Sequence, residues 1–124
     1  MNKFPKSQRL CHRADIERLF TKGRGFLQYP FSVRYLIEKS SNKPGVRVLI
    51  HSPKKYNKTA VARNRAKRLI REAYRLNKSD LINLCNNQNI KLELSISYIS
   101  RDRPSFGQFE KDIKEIISKL ITML

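Results

Sequence analysis

The most highly charged stretch of the sequence is AVARNRAKRLIREAYR, at residues 60 to 75. It crowds arginines and lysines among small apolar residues, and its one acid is Glu72. From Lys39 to Arg71 the chain has eleven basic residues and no Asp or Glu. The planar guanidinium of arginine matches two phosphate oxygens at once, and lysine adds a less directional charge. The stretch therefore predicts a contact with the phosphates of a nucleic acid.

Read as a helix, this stretch separates into two opposed faces. At about 100° per residue from Val61, apolar residues fall between about 60° and 180° and basic ones between about 240° and 340°, with Arg63 and Arg65 at the borders. We expect the apolar face to pack on the protein and the basic face to meet a polyanion, because like charges three or four residues apart repel. The apolar face comprises Ala62, Ala66, Leu69, Ile70, Ala73 and Leu76, and the polar one Asn64, Lys67, Arg68, Arg71 and Arg75.

An ordinary solvated surface helix is the alternative interpretation of this stretch. Such a helix normally places Glu and Lys four residues apart, which adds roughly 0.2–0.5 kcal/mol per pair. Here Glu72 is the single acid among the basic residues. The crowding of arginine without acids favours the nucleic-acid interpretation.

The whole chain is basic. Its 124 residues include 27 Lys and Arg against 10 Asp and Glu, which gives a formal net charge of +17. Because such a charge destabilises a compact state by self-repulsion, we expect an anionic partner, with nucleic acid favoured over an anionic membrane surface. The hydrophobic content of 40% predicts a folded globule. The length predicts a single domain over residues 1–124.

The chain offers little chemistry of its own. Cleaving a phosphodiester usually requires clustered carboxylates that hold metal ions, or a histidine pair. Asp15, Glu17 and the acids at 110–115 lie beside basic residues, which predicts surface pairing. His12 and His51 are far apart in sequence, and neither zinc-ligand spacing nor a glycine-rich phosphate loop occurs. We expect no catalytic residue, no metal bound by the protein alone and no small-molecule substrate.

Sequence signals for membranes and for oxidising compartments are missing. No run of about 18 apolar residues could span a bilayer, and the N-terminus lacks the apolar core of a signal peptide. Cys11 and Cys85 form neither a CxxC pair nor a disulfide scaffold. We therefore expect a cytoplasmic protein with reduced thiols and no membrane partner.

Hydrophobic periodicity predicts the elements that position the basic helix. ADIERLFTKG predicts a first helix that stops at Gly23, and FSVRYLIE and VRVLIHS alternate as strands on either side of the turn SSNKPG. Thr59 is placed to cap the basic helix, and Ser79 to cap a short continuation, DLINLC. IKLELSISYI predicts a third main strand, and Ser105 with Gln108 has capping-box spacing before a last amphipathic helix. The predicted order αββαβα is an α+β fold, with one sheet and helices packed on it.

The basic helix also carries the motif of a known family. AVARNRAKRLIRE resembles the signature of the bacterial ribonuclease P protein component, which is Ala-Val-x-Arg-Asn-Arg followed by Lys-Arg and a further Arg. The N-terminal residues resemble the family's opening pattern, and the match covers residues 9 to 76 well and the rest by element order. The matching residues are Ala60, Val61, Arg63, Asn64, Arg65, Lys67, Arg68 and Arg71, and before them Arg9, Leu10, Asp15, Ile16, Phe20 and Gly23.

Two positions depart from the family pattern. The family commonly has Ser-Lys-Lys-x-Gly-x before the Ala-Val, whereas this chain reads SPKKYNKT, which places Lys58 where the glycine would be. A one-residue insertion would restore both Lys54 and Lys55 to the family's lysine pair. Ile16 replaces an aromatic residue that the family places toward the RNA, which leaves Phe20 for that role.

The resemblance implies a fold like the second domain of ribosomal protein S5, with a left-handed βαβ crossover made by the basic helix. It implies a protein subunit of ribonuclease P that binds the catalytic RNA and the 5′ leader of precursor tRNA. The subunit would assist removal of the leader, while the RNA subunit cleaves with Mg²⁺. The implied RNA-binding residues are Lys54, Lys55, Arg63, Asn64, Arg65, Lys67, Arg68 and Arg71.

Phe20, Arg34 and Tyr35 would form the leader-binding cleft, between the basic helix and the sheet. Stacking of bases on aromatic rings tolerates any sequence, which suits a leader of variable sequence. Tyr35 shares a strand face with Val33 and Ile37 and could equally belong to the core.

Charge alone leaves other functions open. A ribosomal or assembly protein that binds ribosomal RNA, with no nuclease role, would be equally basic, and the RNA that co-purifies would distinguish it. A self-contained metal-dependent nuclease fits less well because the carboxylate cluster is missing. A DNA-binding protein also fits less well, because nothing resembles a helix-turn-helix.

Overall fold

The computed structural model describes residues 6–102 and 105–124. A 3₁₀ turn at Lys6–Gln8 precedes the main elements. These are α1 (Arg13–Lys22), β1 (Arg24–Gln28), β2 (Phe31–Glu38), β3 (Gly45–His51), α2 (Ala60–Asn77), α3 (Ser79–Asn87), β4 (Lys91–Tyr98) and α4 (Phe106–Met123). The predicted α+β class is confirmed, and the basic helix α2 has the predicted bounds to within a residue.

A four-stranded sheet carries the fold, in the order β1-β2-β4-β3. β2 is antiparallel to both of its neighbours, whereas β3 and β4 are parallel. Parallel neighbours need a crossover connection, and α2 with α3 provides it. The basic helix is therefore a crossover element, as the resemblance implied, while the left-handedness of the crossover stays a prediction.

The sequence-based prediction omitted β1. With β1 included, and with α3 counted as a helix of its own after α2, the observed order is αβββααβα. β1 is an edge strand whose residues are exposed or half-buried, and it forms a hairpin with β2. The pairing runs from Arg24 opposite Tyr35 to Gln28 opposite Phe31. A strand that buries little apolar surface leaves little periodicity in its sequence, which explains the omission.

The two faces of the sheet are covered by different helices. α2, α3 and α4 share one hydrophobic cluster with the inward residues of the strands. α1 lies against the opposite face, where Arg18 forms a salt bridge with Glu93 and the guanidinium of Arg34 lies over the ring of Phe20. The central cluster includes Val33, Val46, Val48, Leu94, Ile96, Ile70, Leu81, Ile113 and Ile116. Within residues 6–102 and 105–124, no helix is long and apolar enough to cross a membrane.

The buried side of α2 differs slightly from the predicted apolar face. Leu69 is only half-buried and Leu76 is 41% exposed. α2 packs against α4 and β3, so the position of these neighbours decides which apolar residues are covered. The fully buried residues of α2 are Ala66, Ile70, Ala73 and Tyr74.

The predicted stop of α1 at Gly23 is confirmed, but of the predicted N-terminal caps only that of α2 is. The hydroxyl of Thr59 accepts a hydrogen bond from a backbone N–H of the first turn at 3.1 Å. Ser105 occupies the N-cap of α4, but its side chain makes no capping hydrogen bond, and Gln108 donates instead to an acid one turn later at 3.2 Å. Ser79 lies inside α3 and does not cap it. The predicted capping box and the predicted Ser79 cap are therefore wrong.

Candidate nucleic-acid interface

The outer side of α2 is a continuous basic surface. Arg68 and Arg71 are exposed on it, and Lys67 is half-buried at its border. A groove of about 540 Å³ runs along this side of the helix. The residues that line the groove are Val61, Asn64, Arg65, Lys67, Arg68 and Arg71, and we call the last five of them the basic face. Of the predicted polar face, Asn64, Lys67, Arg68 and Arg71 line the groove, whereas Arg75 does not and Arg65, predicted at the border, does.

The protein's own acids do not neutralise the basic face. Glu72 is bound by Arg75, whose Nε donates at 3.2 Å, and this hydrogen bond lowers the pKa of Glu72. Among the described residues, the other salt bridges lie within α1, within α4 and between α1 and β4. Like charges such as Lys67 and Arg71, four residues apart, repel each other. A polyanion would relieve this repulsion.

Arg63 has a structural role that the sequence did not indicate. One guanidinium nitrogen donates to the carbonyl oxygens of Asn57, at 3.1 Å, and Lys58, at 2.8 Å. The buried side chain of Asn57 donates in turn to the carbonyl oxygen of Ser100 at 3.2 Å. These bonds tie the loop before α2 to the helix and to the segment after β4. Arg63 therefore positions the loop, and its contact with RNA stays a prediction.

Lys54 and Lys55 lie exposed on this anchored loop. The loop turns at Pro53, whose carbonyl oxygen accepts two backbone N–H groups at 3.2 Å. No residue of the loop has a positive φ, so Lys58 in place of the family's glycine causes no backbone strain. Because the loop leads directly into α2, the two lysines extend the positive charge beyond the N-terminal end of the basic face.

His51, at the end of β3, lies near the basic face. Partial burial, and then the nearby charge of Lys67, lower the pKa of His51 below its ordinary value. The imidazole is therefore neutral at pH 7 in the free protein. The sequence indicates that His51 ends a strand and is structural or RNA-facing rather than catalytic, but nothing in the local pattern indicates that β3 ends beside α2.

Replacing Lys67 with glutamine is expected to raise the pKa of His51, because it removes the repulsion between two positive charges. NMR titration of the imidazole ring protons measures this change, and Lys114→Gln is the control that should leave the His51 titration unchanged. The folded-state pKa of His51 lies below the ordinary 6.5, so the unfolded chain binds this proton more readily than the folded protein does. The free energy of unfolding therefore decreases as the pH falls below 6.5. This loss should be smaller in the Lys67 variant. An unaltered His51 titration in that variant would contradict the assignment.

Phe20 and Arg34 lie together on the α1 side of the sheet. The ring of Phe20 is 43% exposed, and the guanidinium carbon of Arg34 lies 5.7 Å from its centroid. This is within the range of a cation–π contact. One terminal nitrogen of Arg34 is buried with no hydrogen-bond partner among the described residues. We call these two residues the Phe20–Arg34 pair.

Tyr35 is not part of this pair. Successive strand residues point to opposite faces, so Tyr35 faces the side of the sheet on which α4 packs. Its ring centroid lies 6.0 Å from that of Phe26, at the border of the core. The predicted cleft is therefore corrected in two respects. Tyr35 is absent from it, and the Phe20–Arg34 pair lies on the sheet face opposite to the one that α2 covers.

An ion pair between distant residues holds α1 on the sheet. The carboxylate of Glu93 is only 2% exposed, and Arg18 donates a hydrogen bond to it while also lying 3.6 Å from Asp15. The hydrogen bond to Glu93, with the charge of that carboxylate, raises the pKa of Arg18. An acid in the middle of the apolar strand IKLELSISYI is the sequence signal that could have indicated this pairing. Leu19, the neighbouring residue on α1, is fully buried and also packs this helix on the domain.

The described part of the chain offers no cluster of acids for hydrolytic chemistry. Within residues 6–102 and 105–124, no three His, Cys, Asp or Glu side chains lie close enough to hold a metal ion. Cys85 is buried, which raises the pKa of its thiol to about 11, and Cys11 is exposed far from it in sequence.

Comparison with known proteins gives a consistent result. The sequence profile of the Ribonuclease P family matches residues 4–121. The chain is 33% identical over 115 residues to the ribonuclease P protein component of Porphyromonas gingivalis, covering 93% of this chain and 84% of that protein. It is 35% identical over 129 residues to the component from Chlorobium phaeobacteroides, covering 98% and 87%.

Solved structures show the same architecture. The RNase P protein of Staphylococcus aureus superposes with a TM-score of 0.71 at 23% identity, covering 94% of this chain and 96% of that one. The RNase P protein of Thermotoga maritima gives 0.70 at 21% identity, covering 90% and 96%. At these identities the structures support the fold, and the profile and the sequence relatives support the family. The chain therefore belongs to the ribonuclease P protein component family.

Proposed function

We propose that this chain is the protein subunit of ribonuclease P and that it acts by binding RNA, while the RNA subunit cleaves. The observation that carries the proposal is the basic face of α2, whose cations have no salt bridge to an acid among the described residues. Its helix is rigid because Ala66, Ile70 and Ala73 are buried against the rest of the domain. A rigid row of cations offers phosphates fixed positions.

The proposed mechanism has two parts. The basic face, with Lys54 and Lys55, neutralises phosphates of the catalytic RNA. The Phe20–Arg34 pair holds the single-stranded 5′ leader of precursor tRNA, because the exposed ring offers a stacking surface and the guanidinium offers charge. Mg²⁺ for cleavage is supplied through the RNA subunit. The complex would act in the cytoplasm, where precursor tRNA is processed.

The alternative, a ribosomal or assembly protein that binds ribosomal RNA, is equally compatible with a charge of +17. No specific observation on this chain favours it. The family to which the chain belongs is the reason for preferring the ribonuclease P function.

Reconstitution with a bacterial ribonuclease P RNA tests the proposed function. At low Mg²⁺, where RNA phosphates repel one another most, we expect the protein to increase the rate of leader removal from precursor tRNA. The control reactions contain the RNA alone, the protein alone and the protein with a ribosomal RNA fragment as competitor. Cleavage by the protein alone, abolished by EDTA, would indicate a protein nuclease. Preferential binding of the ribosomal fragment with no stimulation would support the alternative.

A further inference from the structure

A second pocket lies at the open end of the β1–β2 hairpin, where residues from both faces of the sheet line it. Its volume is about 650 Å³, within the range of roughly 300–1,000 Å³ that small-ligand pockets occupy. We propose that this pocket, which we call the notch, binds one unpaired nucleotide of the 5′ leader beyond the Phe20–Arg34 pair. The proposal rests on the proposed function. The notch is lined by Lys22, Arg24, Lys39, Tyr35, Leu36, Ile37 and Met123.

The notch forms because β1 is shorter than β2, which leaves the last residues of β2 without a neighbouring strand on that edge. β1 begins at Arg24, opposite Tyr35, so the last residues of β2 extend past the end of their neighbour. α4 ends at Met123, which lines one side of the notch. Tyr35 and Ile37 point toward the core side, yet both remain half-buried. An aromatic and apolar floor is therefore open to solvent.

Three cations surround this floor. Lys22 ends α1, Arg24 begins β1 and Lys39 follows β2, and all three are exposed. None of them forms a salt bridge with an acid in the described part of the chain. The neighbouring acid Glu38 points to the other face of the sheet, where its charge acts on Arg18. An apolar floor inside a ring of cations is complementary to a flat base with phosphates on either side.

The position of the notch favours the leader over the RNA bound by α2. Phe20 and Lys22 lie in the last turn of α1, and Arg34 and Tyr35 are consecutive on β2. A strand that leaves the Phe20–Arg34 pair and passes the end of α1 therefore arrives at the notch. α2 packs against β3, at the opposite edge of the sheet from β1. A base that enters the notch must also be unpaired, as leader nucleotides are.

The test uses the reconstituted complex and two substrates. Because single-strand sites span roughly 4–16 nucleotides, precursor tRNA with a leader of about 3 nucleotides should not reach the notch and one of about 12 should. In the Lys22→Gln, Lys39→Gln double variant, we expect affinity for the long-leader substrate to fall about tenfold and its log–log salt slope to decrease by about 1.4. Affinity for the short-leader substrate should stay within about twofold.

A matched variant, Lys43→Gln with Lys111→Gln, removes the same charge from two exposed lysines that do not line the notch and should leave both substrates unaffected. Tyr35→Leu removes the ring while keeping all charges, and we expect it to weaken long-leader binding at least about fivefold. Equal losses of affinity for the short-leader and long-leader substrates, or no loss for the long-leader substrate, would overturn the proposal that the notch binds a leader nucleotide. If the wild-type protein does not support leader removal at all, the proposed function is overturned together with the notch. The results above overturn the notch alone, so the two failures can be told apart.

Discussion

Replacing Lys67, Arg68 and Arg71 together with glutamine is expected to weaken binding to ribonuclease P RNA by about two to three orders of magnitude at 0.1 M salt. Each phosphate neutralised on a duplex contributes about eightfold at that salt concentration, so three contribute about 500-fold. The log–log slope of affinity against salt should decrease by about 2.7. Titration of labelled RNA at several salt concentrations measures both quantities.

The triple variant should fold normally, because Arg68 and Arg71 are exposed and their repulsion is removed. Arg63 is left intact because its hydrogen bonds to Asn57 and Lys58 hold the loop, and its loss would mix a folding effect with a binding effect. The control replaces three exposed lysines elsewhere, at Lys43, Lys111 and Lys114. If the control weakens binding as much as the α2 variant, net charge rather than the basic face determines affinity.

Ile70→Ala is expected to have the opposite profile, with a large loss of stability and little loss of RNA affinity in the folded protein. Ile70 is fully buried in the central cluster. Truncating such a side chain typically costs about 2–5 kcal/mol of unfolding free energy, because transfer energy is lost and a cavity remains. In a domain of this size, that corresponds to a fall in Tm of about 10 °C or more. Calorimetry or denaturant unfolding measures the change.

Val61→Ala is the matched control on the same helix. It also truncates an apolar residue, but Val61 is 80% exposed, so we expect a change in unfolding free energy of less than about 0.5 kcal/mol. Similar destabilisation by the two substitutions would show that α2 does not pack on the core through Ile70. A large loss of RNA affinity in Ile70→Ala, measured below its Tm, would contradict the separation of the two faces.

The features that could be predicted best from the sequence lie within a single helix or strand. The two faces of α2 follow from a helical period of 3.6 residues, so four of the groove-lining side chains, Asn64, Lys67, Arg68 and Arg71, could be predicted from the sequence. The Thr59 cap is equally local. Prediction failed for β1, which buries too little apolar surface to show a period, and for the Ser105 capping box, where a different hydrogen bond satisfied Gln108.

The cleft shows where local patterns are insufficient. Phe20, Arg34 and Tyr35 were grouped on the basis of the family resemblance and of proximity in sequence, but consecutive strand residues cannot share a face. The pair on the α1 side depends on where α1 docks, and that depends on the contact between Arg18 and Glu93, which are 75 residues apart. No periodicity within either element contains that information.

The order of residues was enough to predict the make-up of the basic surface, the class of fold and the family, because charge, helical period and motif are properties of neighbouring residues. Packing between distant elements is what makes Arg63 hold a loop, brings His51 near Lys67, and puts Tyr35 on the sheet face opposite to Phe20. Each of these depends on the relative position of two elements. That position is set by packing of the whole core, where many weak contacts between distant residues act together.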